Sequence, residues 1–257
     1  MSEHAIPVAD MVDYLDTFLR VREIQDESNA VNGLQVENLG TADRIVAAVD
    51  ASLEAIEAAA IAPGGGTLLL VHHGLFWDGN VPLTGRRHRR VRALLERNTA
   101  LYAAHIPLDI HPEVGNNMVL ARRLDIALEG WFGDYRGQRL GVHGELVLPR
   151  EELVRRIEGQ LGATARLIPG GPAVTGRVGV ITGSGGGFVT QAKAAGLDTL
   201  ISGEGAHHTY FDAMELGVNV IYAGHYATEQ VGVQALAQHL GLRFKLPWEF
   251  HRHPTGM

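Results

Sequence analysis

The chain has 257 residues, 46% hydrophobic and 20% charged, enough for one large domain or two small ones and incompatible with wholesale disorder. A net charge of −7 argues against a dedicated nucleic-acid coat protein. Cysteine is absent, which excludes disulfides, thiolate zinc sites, iron–sulfur clusters and cysteine nucleophiles. Histidine numbers 13, and in a cysteine-free chain that surplus points to metal ligation or proton transfer. No apolar run approaches the ~18 residues of a membrane span, and MSEHAIPVAD lacks the layout of a signal peptide, so the expectation is a cytoplasmic protein.

Val8, Met11, Val12, Leu15, Phe18 and Leu19 recur at three and four residues and predict a first helix. Asn32-Gly33-Leu34-Gln35-Val36 reads as a turn into a short extended piece. An alternation follows: strand 44–49, helix 52–61, a break at Pro63-Gly64-Gly65-Gly66, strand 67–71, helix 91–97, strand 100–104 and helix 117–124. The stretch 130–149 changes character, with glycines at 130, 133, 137, 141 and 144. A boundary near 129 therefore separates a first domain, 1–129, from a second, 130–257, with the segment 225–257 able to pack back on the first. The second half reads as helix 150–161, strand 178–182, helix 189–195, strand 199–202, helix 208–216, strand 218–223 and helix 229–240. The expected fold class is α/β: two similar α/β domains with parallel-type sheets flanked by helices.

The halves share a local pattern. Tyr102-Ala103-Ala104-His105 closes one strand and Tyr222-Ala223-Gly224-His225 another, and an acid follows each histidine by four residues, Asp109 and Glu229. An ancient duplication accounts for this order better than chance does.

Ligands of open α/β sheets bind at the carboxyl ends of strands, where several histidine clusters fall. His72 and His73 end one strand and can address two points a few ångströms apart; the plainer alternative is one buried and one surface imidazole. His225 and Glu229 share a face if their turn is helical, though a glutamate there also suits a helix N-terminus. Pro107 disfavours a helical residue before it, so 105–109 is expected to be an extended loop, with Asp109 a ligand and His105 a partner behind the ligands. His72, His73 and His225 with Asp109 and Glu229 make three imidazoles and two carboxylates; with one carboxylate shared, each of two metals receives three protein ligands and keeps open positions. His207-His208 copy the look of His72-His73 but are expected to begin a helix and not to bind metal. Gly183-Ser184-Gly185-Gly186-Gly187 could cradle an anion or simply form a tight turn. Arg86-Arg87-His88-Arg89-Arg90 with Arg92 is a solvated face or an attractor of phosphorylated molecules or nucleic acid.

Asn32-Gly33-Leu34-Gln35-Val36-Glu37, Val71-His72-His73-Gly74, His105-Ile106-Pro107-Leu108-Asp109 with Gly115-Asn116-Asn117, Ser202-Gly203-Glu204, His225-Tyr226-Ala227-Thr228-Glu229 and the final His253-Pro254-Thr255-Gly256 together resemble the Nif-three-like dinuclear metal-centre family. The family is also labelled GTP cyclohydrolase I type 2 homologues (YbgI-like). The resemblance implies two α/β domains with a metal site between them, a homohexamer, and two divalent ions per chain on His72, His73, Asp109, His225 and a bridging Glu229. Zinc, iron, manganese or cobalt would suit such ligands. The functional expectation is a metal-dependent hydrolase using a metal-activated water on a nucleotide or other phosphorylated small molecule, with Glu204 or His105 transferring a proton. The alternative is a non-enzymatic, metal-stabilised hexameric ring that binds a protein or nucleic-acid partner. No membrane partner is expected.

Overall fold

The computed structural model describes residues 5–59 and 65–257. The expected end of the second helix at Ile61 and the break at Pro63-Gly64 lie outside them.

The chain opens with β1 (Ile6–Pro7) and α1 (Val8–Phe18), which buries Val8, Met11 and Leu15 as their spacing demands. Then come β2 (Gly33–Val36), β3 (Thr41–Ala42), β4 (Arg44–Asp50), α2 (Leu53–Ala59), β5 (Thr67–His73), α3 (Gly85–Glu96), β6 (Thr99–Ala103) and α4 (Ile106–Asp109). The next stretch holds α5 (Asn116–Arg123), β7 (Ala127–Tyr135), β8 (Gln138–Glu145), α6 (Arg150–Leu161) and β9 (Arg166–Pro169). It continues with β10 (Arg177–Ile181), a 3-10 turn (Gly185–Phe188), α7 (Val189–Ala194), β11 (Thr199–Ser202), α8 (Thr209–Leu216) and β12 (Asn219–Tyr222). The chain closes with α9 (His225–Phe244) and β13 (Trp248–Phe250).

These elements form two compact units, Met1–Leu108 with Val233–His253, and Asp109–Gly232 with Pro254–Met257. The division falls at Leu108/Asp109, where the sequence placed it near 129. The glycine-rich stretch after 129 is not a linker. It belongs to the hairpin β7–β8, closed by Arg136 and Gly137 at φ 52° and 80°, the two positive values that a tight primed turn requires.

The first unit has a sheet in the order β13-β4-β5-β6-β2; β13, β4, β5 and β6 run parallel and β2 is antiparallel. Val46, Leu69, Val71, Leu101 and Ala103 of this sheet pack on Ala55 and Ile56 of α2 and Leu94 of α3. Six of the seven residues of β5 are buried, the signature of a central parallel strand.

In the second unit the order is β7-β8-β10-β11-β12-β9, with β10, β11 and β12 parallel and the other pairings antiparallel. Its sheet has a core on each face: Val178, Val180, Ile201 and Ile221 belong to one, Leu200, Val218 and Val220 to the other. The expected α/β class with helix-flanked sheets is therefore correct; the first sheet is mostly parallel, whereas three of the five pairings in the second are antiparallel. Among the described residues, no helix is long and apolar enough to cross a membrane.

Candidate metal centre

In the first unit the parallel strands β4, β5 and β6 end side by side and bring Asp50, His72, His73 and His105 to one edge. The ring centroid of His72 lies 4.6 Å from that of His73 and 5.0 Å from that of His105, and one donor nitrogen from each of the three falls within 4.8 Å of the others. His72 is 1% exposed, and its Nδ1 donates to the carbonyl of Ala104 at 2.9 Å. Nδ1 of His73 donates to Oδ1 of Asp50 at 2.9 Å, across the β4–β5 register pair. Nδ1 of His105 donates to Oδ1 of Asp26 at 2.8 Å. Each acceptor is a carbonyl or carboxylate oxygen, which fixes the proton on Nδ1 and leaves the lone pair on Nε2, the tautomer a metal requires.

The segment after His105 corrects an expectation. Residues 106–109 form the helical turn α4, not an extended loop. Pro107 lies in the first turn, where its missing N–H would bond nothing, and the buried Asp26 caps the turn by accepting the Ile106 N–H at 2.9 Å. Asn32 donates to the same carboxylate at 2.8 Å and accepts the His105 N–H at 2.7 Å. Burial would raise the Asp26 carboxyl, but the hydrogen bond and charge of His105, with the hydrogen bonds from Asn32 and the Glu27 N–H, together outweigh it and hold it below its ordinary value. Trp77 stands edge-on to His105, with centroids 4.8 Å apart, and walls that side.

The second unit repeats the arrangement with other donors. β10, β11 and β12 end at Thr182, Glu204 and His225 respectively or within two or three residues of them. His225 and Glu229 lie on the first turns of α9, which begins at 225, four residues ahead of the expected start, because Gly224 at φ 92° turns the chain directly out of β12. Nε2 of His225 is 3.1 Å from Oε2 of Glu229, a carboxylate that is 3% exposed. Nδ1 of His225 donates to Oε1 of Glu204 at 2.8 Å, and that oxygen also accepts from Ser184 Oγ at 2.7 Å. These two bonds hold Glu204 below the usual carboxylate range. Burial pulls His225 down, but the bonds and charges of Glu229 and Glu204 outweigh it, and its pKa is pushed up to about 9. Between this imidazole and Glu229 the unit has made a place for positive charge. Asp109 is fixed by Asn116, whose Nδ2 donates to Oδ1 at 2.8 Å while its Oδ1 accepts the Gly232 N–H at 2.7 Å. Thr182 Oγ1 reaches the same Asp109 oxygen at 3.4 Å.

This donor set fits divalent metal ions. Each candidate imidazole has its Nδ1 engaged by a protein oxygen, as metal-bound histidines do, and a buried carboxylate stands at one of them. A family model for Duf34/NIF3 (NGG1p interacting factor 3) matches residues 6–254. The chain belongs to the DUF34/NIF3 family. It is 45% identical over 252 residues to a Deinococcus radiodurans protein named GTP cyclohydrolase 1 type 2 homolog, covering 96% of this chain and 94% of that one. Among solved structures it is similar to protein ybgI, described as of unknown function, with 35% identity, a TM-score of 0.90 and coverage of 98% of this chain and 100% of that one. The crystal structure of a Thermus thermophilus protein has 39% identity, a TM-score of 0.85 and the same coverage.

The other motifs of this DUF34/NIF3 chain also find their places. The glycine loop 183–187 serves Glu229: Gly183 sits at φ 63°, and a methyl group there would collide with Oε1 of Glu229. Its backbone is already engaged, since Gly183 N–H donates to Thr228 Oγ1 and Gly186 N–H to the Glu204 carbonyl, both at 3.0 Å. Gln35 shapes the turn after His73 by accepting the Leu75 N–H at 2.8 Å. The arginine run divides by helical phase. Arg87 turns inward to Asp78, to the Gly79 carbonyl at 2.7 Å and over the Phe76 ring. Arg86 and Arg90 instead line a cavity of about 200 Å³ with Asp50, Ser52, His73 and Trp77. Asp26 and Asp50 were missed from sequence. Asp50 carried a signal, an acid closing an apolar strand; Asp26 lies 79 residues from His105 and carried none.

Proposed function

We propose that this chain is a dinuclear metal-dependent hydrolase of phosphorylated small molecules, nucleotides included. The proposed ligands are His72, His73, Asp109, His225 and Glu229, with Glu229 shared by two ions of zinc, iron, manganese or cobalt. Such ions, when bound, supply Lewis acidity and lower the pKa of a coordinated water. The chain's own contribution begins with orientation: Asp50, Glu204 and the Ala104 carbonyl hold the rings of His73, His225 and His72. His105, backed by the buried Asp26, has the arrangement of an imidazole that takes a proton at Nε2 while its partner stabilises the cation. Glu204, with one oxygen committed to His225 and Ser184, suits orientation better than proton transfer.

The cavity beside His73 carries the choice of substrate. Arg90 Nε is shielded from solvent and makes no hydrogen bond among the described residues, and burial together with the charge of Arg86 pulls the Arg90 guanidinium below its ordinary pKa. An anion seated there would satisfy the donor and separate the two like charges. The test is a turnover panel of phosphomonoesters, phosphodiesters and nucleotides, GTP among them because relatives carry that name. Each metal would be reloaded into stripped protein. The expected result is hydrolysis that Glu229→Gln abolishes, with Arg90→Ala raising KM roughly tenfold to hundredfold for phosphorylated substrates. No turnover with any metal would favour the hexameric ring that binds a partner. Light scattering is expected to give the mass of six chains; a single-chain mass would overturn the ring.

A further inference from the structure

We propose that Glu54, His251 and His253 form an additional divalent transition-metal site, which clips the C-terminal edge strand of the first unit to helix α2. β13 joins the sheet parallel to β4, and the pairing continues one residue further through the His251 N–H to the Ala47 carbonyl at 2.8 Å. Just beyond the strand, the side chains of residues 251 and 253 come together on one side. Their rings stack at 15° with centroids 6.2 Å apart. Glu54 reaches them from the first turn of α2: Oε2 is 3.1 Å from His253 Nδ1, and Oε1 is 4.0 Å from His251 Nε2. One donor atom from each of the three lies within 4.8 Å of the others.

The deciding atom is Nε2 of His251. It is shielded from solvent and makes no hydrogen bond among the described residues. An ion pair between Glu54 and His253 accounts for their contact but leaves that nitrogen unsatisfied. An ion among the three side chains uses it. Two imidazoles and one carboxylate suit zinc, cobalt, nickel or copper and leave positions for water, and the half-exposed setting gives a ready entry path. β4 separates β13 from β5, so the trio stands roughly 10 Å from the end of β5 by strand spacing and cannot share an ion with His72 or His73.

The site is tested by metal stoichiometry in the full chain. Stripped protein titrated with Co2+ should bind one equivalent more than Glu54→Gln/His253→Ala, a variant altered at the exposed Glu54 and the half-exposed His253. Glu54→Gln alone should weaken that equivalent by at least about tenfold, the loss usual when even a supporting partner is removed. With Cu2+, paramagnetic resonance should show two imidazole nitrogens on this ion in Glu229→Gln protein, where the proposed dinuclear set is impaired. Failure of the dinuclear reading would leave this equivalent in place, so the two are separable. Equal Co2+ stoichiometry and affinity in wild type and the double variant would overturn the proposal.

Discussion

At the carboxyl ends of β4, β5 and β6 the first unit collects three imidazoles, whereas at the equivalent ends of β10, β11 and β12 the second collects one imidazole and acids. The frames beneath are alike. One runs α1, β2, β4, α2, β5, α3, β6 and the other α6, β9, β10, α7, β11, α8, β12. In each, three consecutive strands lie parallel and the last pairs antiparallel with the strand that came before them, giving β4-β5-β6-β2 and β10-β11-β12-β9. This shared order supports a duplication far better than the four-residue sequence match did. His105 and His225 are equivalent positions, each with an acid on Nδ1, but Asp26 comes from a distant loop and Glu204 from the next strand end. The scaffold fixes where a donor can stand, and each half has filled those places with a different charge. The first offers imidazole nitrogens and the second mainly carboxylates.

The comparison breaks most visibly at Glu229. Glu229→Gln keeps the shape and removes the buried charge beside His225. The expected outcome is loss of at least one metal per chain by elemental analysis, while His72→Ala or His73→Ala weakens chiefly its own ion. If the variant keeps two tightly bound ions, Asp109 becomes the next candidate for the shared carboxylate.

A smaller effect is expected where the second unit's backbone makes room for that carboxylate. Gly183→Ala forces a left-handed residue, about 1–2 kcal/mol, and also drives a methyl group against Glu229. It should lower the melting temperature and the metal content together. A glycine elsewhere at positive φ but in open space, such as Gly137, should lower the melting temperature alone when changed to alanine.

Smaller again are the acids behind the rings. Glu204→Gln and Asp50→Asn keep an acceptor on Nδ1 but remove its charge. Each should cost roughly tenfold to hundredfold in metal affinity by competition with a chelator. Glu204→Gln should cost more, because Ser184 pins that side chain and His225 is the only imidazole of the second unit's set among the described residues.

What was legible in the sequence follows from range. The central strands were readable because a strand buried on both faces is a short apolar run, and the histidines were readable because they close those runs. α3 starts at Gly85, ahead of the expected 91, because arginines occupy its first turns and hide the apolar stripe; which of them turns inward depends on that phase. β13 is three residues long and exists only through its pairing with β4, so no local pattern could reveal it. The same holds for Glu54 with His251 and His253, which are joined by that pairing.

The smallest expected effect is at the histidine pair that looks most like a ligand and is not placed as one. In the second unit the strand end that matches His72-His73 is Ser202-Gly203-Glu204, and its acid is already bonded to His225. His207 and His208 lie beyond it, both exposed; His208 immediately precedes α8, and the His207 ring stands edge-on to Phe211 at 5.8 Å. Among the described residues, neither belongs to any trio of possible ligands. The double variant His207→Ala/His208→Ala should therefore leave metal per chain unchanged and shift stability by no more than about 0.5 kcal/mol. Loss of a metal equivalent in that variant would mean that the second copy kept the ligand role of the first, and that the division into an imidazole half and an acidic half is wrong.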